Sequence, residues 1–343
     1  MRNTSHPITR SSASYATGDS ASGRQASSPP AGSGFDGHRP SGPLAGLPSR
    51  SGVRPGRNVR HAGLLPEERA KIGVARWPDP HFDTSDSAAN VAYGLRFAIA
   101  VDDAARQLGS GQLRNIEDVW RFATHWRMQQ GDATGDFSER RLSNGAFSLT
   151  PITGKYEFVA DRAKNAAAAK LINYPGRPDI HLVQLRQSVQ INGTSIPLTE
   201  IRLPYRADSR LTELADDAMP PMISHTSASR IPVLLQEVER LRMTLPARSN
   251  VNDRIQTLGH MHWLLANAMP DKRGSGAKSE MCIRAIGTSL GLTMPPFKHG
   301  VIPDLEAFVT PMEEFRRGYA ALFESPPQAS RSIHFRRTIS AQR

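Results

Sequence analysis

The chain has 343 residues, of which 38% are hydrophobic and 22% charged, and its formal net charge is +11. No run approaches the ~18 apolar residues of a membrane-spanning helix, and the single cysteine, Cys282, excludes an intrachain disulfide and a multi-cysteine zinc site. Of the net +11, residues 1–60 contribute +6 and residues 325–343 contribute +4, so the body between them carries +1. A nucleic-acid groove needs clustered Lys and Arg on the folded part, with aromatics to stack bases; the body has no such cluster, and no nucleic-acid partner is expected.

Residues 1–60 hold eight Arg, no Lys and two Asp. The stretch SSPPAGSGFDGHRPSGPLAGLPSRSG has too few large apolar residues to offset chain entropy, so 1–60 is expected to be a disordered tail. The start, MRNTSHPITRSSASY, lacks the apolar core of a secretory signal, and Arg2 excludes N-terminal myristoylation of this chain. The ordered domain is expected over 61–324, with a basic tail over 325–343.

LLPEERAKIG reads as a short helix with Pro66 in its first turn, and the two prolines of WPDPHF argue against helix over 77–82. A helix from about Ser85 to Leu108 presents Ala88, Val91, Leu95, Ala98, Ile99, Ala105 and Leu108 as its stripe. Asn115 caps the next helix, in which Val119, Phe122, Ala123 and Trp126 share a face. The alanine run NAAAAKLI places a third helix at roughly Phe158–Ile172. Residues 181–206 then alternate apolar and polar, the period of a strand, and Asn192-Gly193 is a hairpin turn signal. Residues 207–229 read as an irregular connection. Helices follow at about 231–245, 251–269 and 277–290, with a last helical stretch after Pro303, re-capped at Thr310. The fold class is therefore mainly α (α+β): a helical bundle with one β-hairpin.

Between two of these helices lies PDKRGSG, Pro270–Gly276. Gly274 and Gly276 let the backbone approach a ligand, and the free N–H groups of the following helix make an anion site. Arg273 supplies a bidentate contact, Lys272 and Lys278 point charges, and Ser275 a hydroxyl or a cap. The same pattern also joins ordinary helical hairpins, so both readings stand. His260 and His262 are two apart on a helix and face different ways, HExxH is absent, and no metal site is expected. His262 shares the apolar stripe of its helix, and Trp120, Trp126 and Trp263 are expected to fill the core. Cys282, His299 and Asp304 stand in the chain order of papain-like cysteine enzymes, although the 16 residues between Cys and His are few for that layout.

The run Met269–Glu280 resembles the motif H-P-F-x-D/E-G-N-G-R-x-x-R of Fic-type proteins, with Pro270, Gly274 and Gly276 matching. VQINGTSIPL, residues 189–198, is similar to the Fic β-hairpin flap, and the likeness covers about 181–293. The resemblance implies a Fic/Fido-like helix–loop–helix core that binds a nucleotide or sugar nucleotide. Met269 replaces the catalytic His, Arg273 the metal-binding acid, and Ala277 and Glu280 the two motif arginines. Adenylyl transfer by the usual Fic mechanism is therefore not expected; a divergent transferase or a pseudo-enzyme is, and Glu280 stays a weak catalytic candidate beside Cys282, His299 and Asp304. The Ser-, Pro- and Arg-rich start resembles the leaders of type III effectors of plant-pathogenic bacteria, the Xanthomonas outer proteins among them. That likeness implies secretion through a type III system into the host cytoplasm, a secretion chaperone at the N-terminus and a host protein target. A non-catalytic effector that binds a host protein and suppresses immunity, and a cysteine hydrolase using Cys282, are the alternatives.

Overall fold

A computed structural model describes residues 63–131, 134–207, 211 and 213–330. The expected tail over 1–60 and all but the first six residues of the basic C-terminal tail lie outside the described residues. The elements run α1 (Pro66–Arg69), α2 (Ala88–Gly109), α3 (Ile116–Met128), β1 (Leu149–Pro151), α4 (Phe158–Asn165), β2 (Lys170–Tyr174), β3 (Arg177–Ile191), β4 (Thr194–Arg206) and β5 (Met222–Ser224). They continue with α5 (Ile231–Thr244), α6 (Val251–Ala268), α7 (Ser275–Ser289), β6 (Leu292–Thr293), α8 (Pro303–Val309), α9 (Met312–Gly318) and β7 (Gln328–Ala329).

Local chemistry sets most of these boundaries. Ser87 caps α2 by accepting from Asn90 N, and Asn115 caps α3 by accepting from Asp118 N, each satisfying an orphan helix donor. Asn192 and Gly193 both hold positive φ, 51° and 77°, which the tight turn between β3 and β4 requires. That hairpin is the centre of a five-stranded antiparallel sheet in the order β1-β5-β4-β3-β2, where the sequence predicts two or three strands. The register slips between Arg186 and Ser188, and the intervening Gln187 donates to the carbonyl of Phe308 in α8 at 3.0 Å. Such a bulge re-aims a side chain out of the ladder, and here it pins the hairpin to the helical layer.

The core sits among α2, α3, α5, α6 and α7 and reaches the inner face of the sheet. Helix α6 is buried from Met261 to Ala268 and forms its axis. Three expectations need correction. The alanine run does not carry α4 to Ile172: the helix ends at Asn165, and Lys170–Tyr174 pairs with β3 as an edge strand. Strand pairing there outweighs alanine's helix propensity. The buried residues of α2 are Asn90, Gly94, Phe97, Ala98, Ala100, Val101, Ala104 and Ala105, so the expected stripe keeps only Ala98 and Ala105, and Ile99 is 61% exposed. Small residues dominate that face because α7 packs closely on it, and a stripe of large apolar residues points elsewhere. Finally, the break between α8 and α9 falls at Thr310, but Pro311 holds the cap position with no side-chain bond. Trp120 and Trp263 are buried as expected, whereas Trp126 is half-buried, edge-on to Tyr93 and Phe97.

Candidate functional site

Helix α6 ends at Ala268, and Met269 turns the chain with φ 41° and ψ 64°, a left-handed conformation that a non-glycine side chain rarely adopts. Its side chain is buried, 5% exposed, which suits a thioether and leaves no titrating group where a base would stand. Ser275 is fully buried: its hydroxyl accepts from Asp271 N at 3.1 Å and lies 3.2 Å from Asp271 O, so it closes the turn on itself. Gly274 precedes α7 at φ 72°, and a Cβ there would meet the Phe137 ring at 2.7 Å. On Gly276 a Cβ would meet Asp304 Oδ2 at 2.6 Å. The second glycine therefore lets a carboxylate of α8 lie against the first turn of α7, where the helix dipole favours negative charge.

A strap formed by residues 135–141 covers the loop. Lys272 N donates to Glu139 O at 3.0 Å and Arg273 N to Asp136 O at 3.2 Å. The three loop cations meet acids. Lys272 pairs with Glu139, Arg273 lies 3.5 Å from Asp136, and Lys278, 1% exposed, pairs with Asp271 at 2.5 Å and donates to Phe137 O. Burial lowers the Lys278 ammonium from its ordinary range, against the pull of Asp271. Trp120 Nε1 completes the Asp271 shell at 2.8 Å. Arg141 staples the strap to the end of α6, donating to the carbonyls of Met269, Ala268 and Thr226 at 3.2, 3.0 and 2.7 Å.

Beside the first turns of α7 a cavity of about 280 Å³ opens between α2, the 71–77 segment and the start of α8. Lys71, Arg76, Trp77, Asn90, Tyr93, Arg96, Tyr156, Gly276, Ala277, Glu280, Phe297 and Asp304 are among its lining. Glu280 Oε1 accepts from Gly73 N at 3.1 Å and from Arg284 Nε at 2.7 Å, so it ties the 71–77 segment to α7. Of the residues singled out in the sequence, Gly276, Glu280 and Asp304 come together on this cavity. Lys272, Arg273, Gly274, Ser275 and Lys278 lie under the strap.

Cys282 and His299 do not join Asp304 in a triad. Cys282 is fully buried, and burial pushes its thiol up, away from thiolate. His299 is exposed and pairs with Asp83 at 2.7 Å. His262 is a core histidine with Nδ1 2.7 Å from the Tyr319 hydroxyl. Among the described residues no three His, Cys, Asp or Glu side chains converge to hold a metal, and no helix is long and apolar enough to cross a membrane. The residues that sequence reasoning missed are Arg76, Trp77, Asn90 and Tyr93. For Arg76 and Trp77 the one local signal was the RWPDP turn, a cation and an indole next to two prolines; Asn90 and Tyr93 gave none.

The geometry defines a mixed helix–sheet domain with an open cavity, lined by aromatic and charged side chains, beside a helix–glycine loop–helix core. The avirulence-protein family of AvrB and AvrC matches residues 10–326, and the chain belongs to that family. Avirulence protein B of Pseudomonas savastanoi pv. glycinea is 30% identical over 280 residues, which cover 75% of this chain and 87% of the relative. The protein is thus a virulence effector of the type that plant pathogens deliver by type III secretion into the host-cell cytoplasm, where it acts on a host target.

Proposed function

We propose that the effector binds a phosphate-containing donor, a nucleotide or sugar nucleotide, in the cavity beside α7, and transfers part of it to a host protein by a route that does not use the Fic histidine. The observation that carries this reading is the cavity itself. It lies against the N-terminal turn of a helix entered through a glycine loop, and it combines aromatic walls with cations, the lining that a ring-bearing phosphate requires. The α6–loop–α7 pair keeps the layout that resembles Fic-type cores. Met269 at the position of the Fic base supports a different chemistry, because a thioether accepts no proton. Glu280 and Asp304 are the carboxylates within reach of such a ligand. The donor is placed in the cavity and not on the loop, since Lys272, Arg273 and Lys278 already face acids.

Those satisfied loop charges favour a second reading, in which the loop and strap are a rigid platform that holds a host protein and suppresses immunity without catalysis. The buried Cys282 gives a hydrolase reading no support. In either case the N-terminal segment, by its composition, is the part that a secretion chaperone would engage.

A thermal melt of the full chain with ADP, UDP or UDP-glucose, with and without Mg²⁺, separates the two. A ligand that binds only the folded state raises the transition temperature. Stabilisation by any of them at millimolar concentration is expected, and none by all three would leave the platform reading.

A further inference from the structure

The two ends of the described chain meet at Thr293 in β6. A Cβ on Gly63 would lie 3.5 Å from the Thr293 side chain. Ser330 reaches the same strand from the other end: its N–H donates to Gly291 O at 2.7 Å, and its hydroxyl lies 3.0 Å from Thr293 Oγ1. Pairing of Leu292 with Ala329 and of Thr293 with Gln328 fixes the place. Residues 62 and 331 therefore leave the body side by side.

The charge of the sequence is grouped next to these two exits. RSGVRPGRNVR, residues 50–60, holds four Arg and no acid, and RSIHFRRTISAQR, residues 331–343, holds four Arg and no acid. All eight arginines lie within 13 residues of chain from Gly63 or Ser330. The body between residues 61 and 324 carries only +1. Two clusters at opposite ends of the sequence thus become one group at one pole of the fold.

We propose that the two clusters form a single split anchor for an anionic lipid surface, with the β6–β7 pole turned toward it. Arginine suits headgroup phosphates because its planar donors match their oxygens and its charge is permanent. Segments of four to eight basic residues are what an anionic membrane leaflet attracts. Clusters tethered at one point act jointly, since engagement of one makes that of the other intramolecular. A nucleic acid also offers phosphates, but the two clusters hold one aromatic, Phe335, to stack a base, and the near-neutral body adds little. The anchor also places the cavity. Lys71 lines it and pairs with Glu324, and eight residues of chain from Gly63 to Lys71 span at most about 30 Å. An anchored effector keeps its cavity near the surface.

Flotation of the full chain tests this, with vesicles of phosphatidylcholine alone or with about one-third phosphatidylserine. The wild type should float with the anionic vesicles and not with the neutral ones. About half-molar salt should release it, because charges are then screened within a few Å. One variant combines Arg50→Gln, Arg54→Gln, Arg57→Gln and Arg60→Gln; a second combines Arg331→Gln, Arg336→Gln, Arg337→Gln and Arg343→Gln. Each should bind at least about tenfold more weakly, since one arginine at an anionic surface is worth about fivefold. The two sets together should reduce binding to the level of neutral lipid. A control set, Arg2→Gln, Arg10→Gln, Arg24→Gln and Arg39→Gln, removes the same charge far from the exit and should cost less than either cluster. All these positions lie outside the described residues, so an unchanged melt verifies that each variant is folded. Equal flotation of the wild type with both vesicles would overturn the anchor, as would undiminished binding when both clusters are removed. An equal loss in the control set would reject grouping at the exits in favour of net charge alone. Preference of the wild type for duplex DNA or RNA over anionic vesicles in competition would overturn the lipid assignment.

Discussion

Arg141 spends its buried guanidinium on neutral oxygens. Four bonds, to the carbonyls of Ala268, Met269 and Thr226 and to the Ser148 hydroxyl, hold a side chain that is 2% exposed, and burial brings its pKa down to about 10. Truncating it leaves several buried acceptors unpaired at the end of α6. Arg141→Met should cost about 3 kcal/mol or more, seen as a lower denaturant midpoint. The buried histidines set a pH response. Burial lowers the imidazoles of His225 and His262 to about 3, and that of His260 is lowered as well. The unfolded chain protonates these rings below about 6.5, and the folded one does not. Their contribution is thus fully present above pH 6.5 and is lost as pH falls toward the folded value, by about 1.4 kcal/mol per pH unit for each ring. Between pH 6.5 and about 5.5, before most unfolded carboxylates begin to titrate, stability should fall. His225→Gln should flatten that slope; an unchanged slope would show that the ring is already protonated in the fold.

At the scale of the element, two glycines before α7 serve different neighbours. Gly274→Ala meets both a left-handed backbone and the Phe137 ring, and should cost at least ~1–2 kcal/mol. Gly276→Ala sits in ordinary helix, so it should cost less in a melt, and its effect should appear in ligand binding because it displaces Asp304 from the cavity wall. Equal melting losses for the two would argue against that division. The hairpin was legible in the sequence because alternation and Asn192-Gly193 act within a few residues. The strand at Lys170–Tyr174 was not, since KLINY follows an alanine run and becomes a strand only when β3 lies beside it. The cavity was half legible. PDKRGSG marked the approach to α7. Arg76 and Asn90 reach the cavity from elements some 200 residues earlier, a proximity that no local pattern encodes.

For the whole molecule, the apolar periodicity of the sequence starts near Leu64. A chain beginning near His61 should therefore keep the cooperative transition of the full protein. Loss of that cooperativity would place structural residues in the first sixty. Met269→His should not confer self-adenylylation with ATP and Mg²⁺, because Arg273 and Glu280 remain where metal and phosphate contacts would be needed. Robust adenylyl transfer by either form, read by mass, would overturn the comparison with Fic chemistry.

The pair between Arg76 and Glu324 joins residues 248 positions apart, and Lys71 meets the same carboxylate at 3.3 Å. A polypeptide that emerges with its N-terminus first, from a ribosome or from a secretion channel, releases one end of this clasp early and the other almost last. The wall of the cavity cannot be completed until nearly the entire chain is free. Loop closure over that distance comes late in any folding route that starts from local contacts. The order of emergence thus acts as a timer: the clasp between Arg76 and Glu324, and with it this wall of the cavity, closes only after residue 324 has emerged.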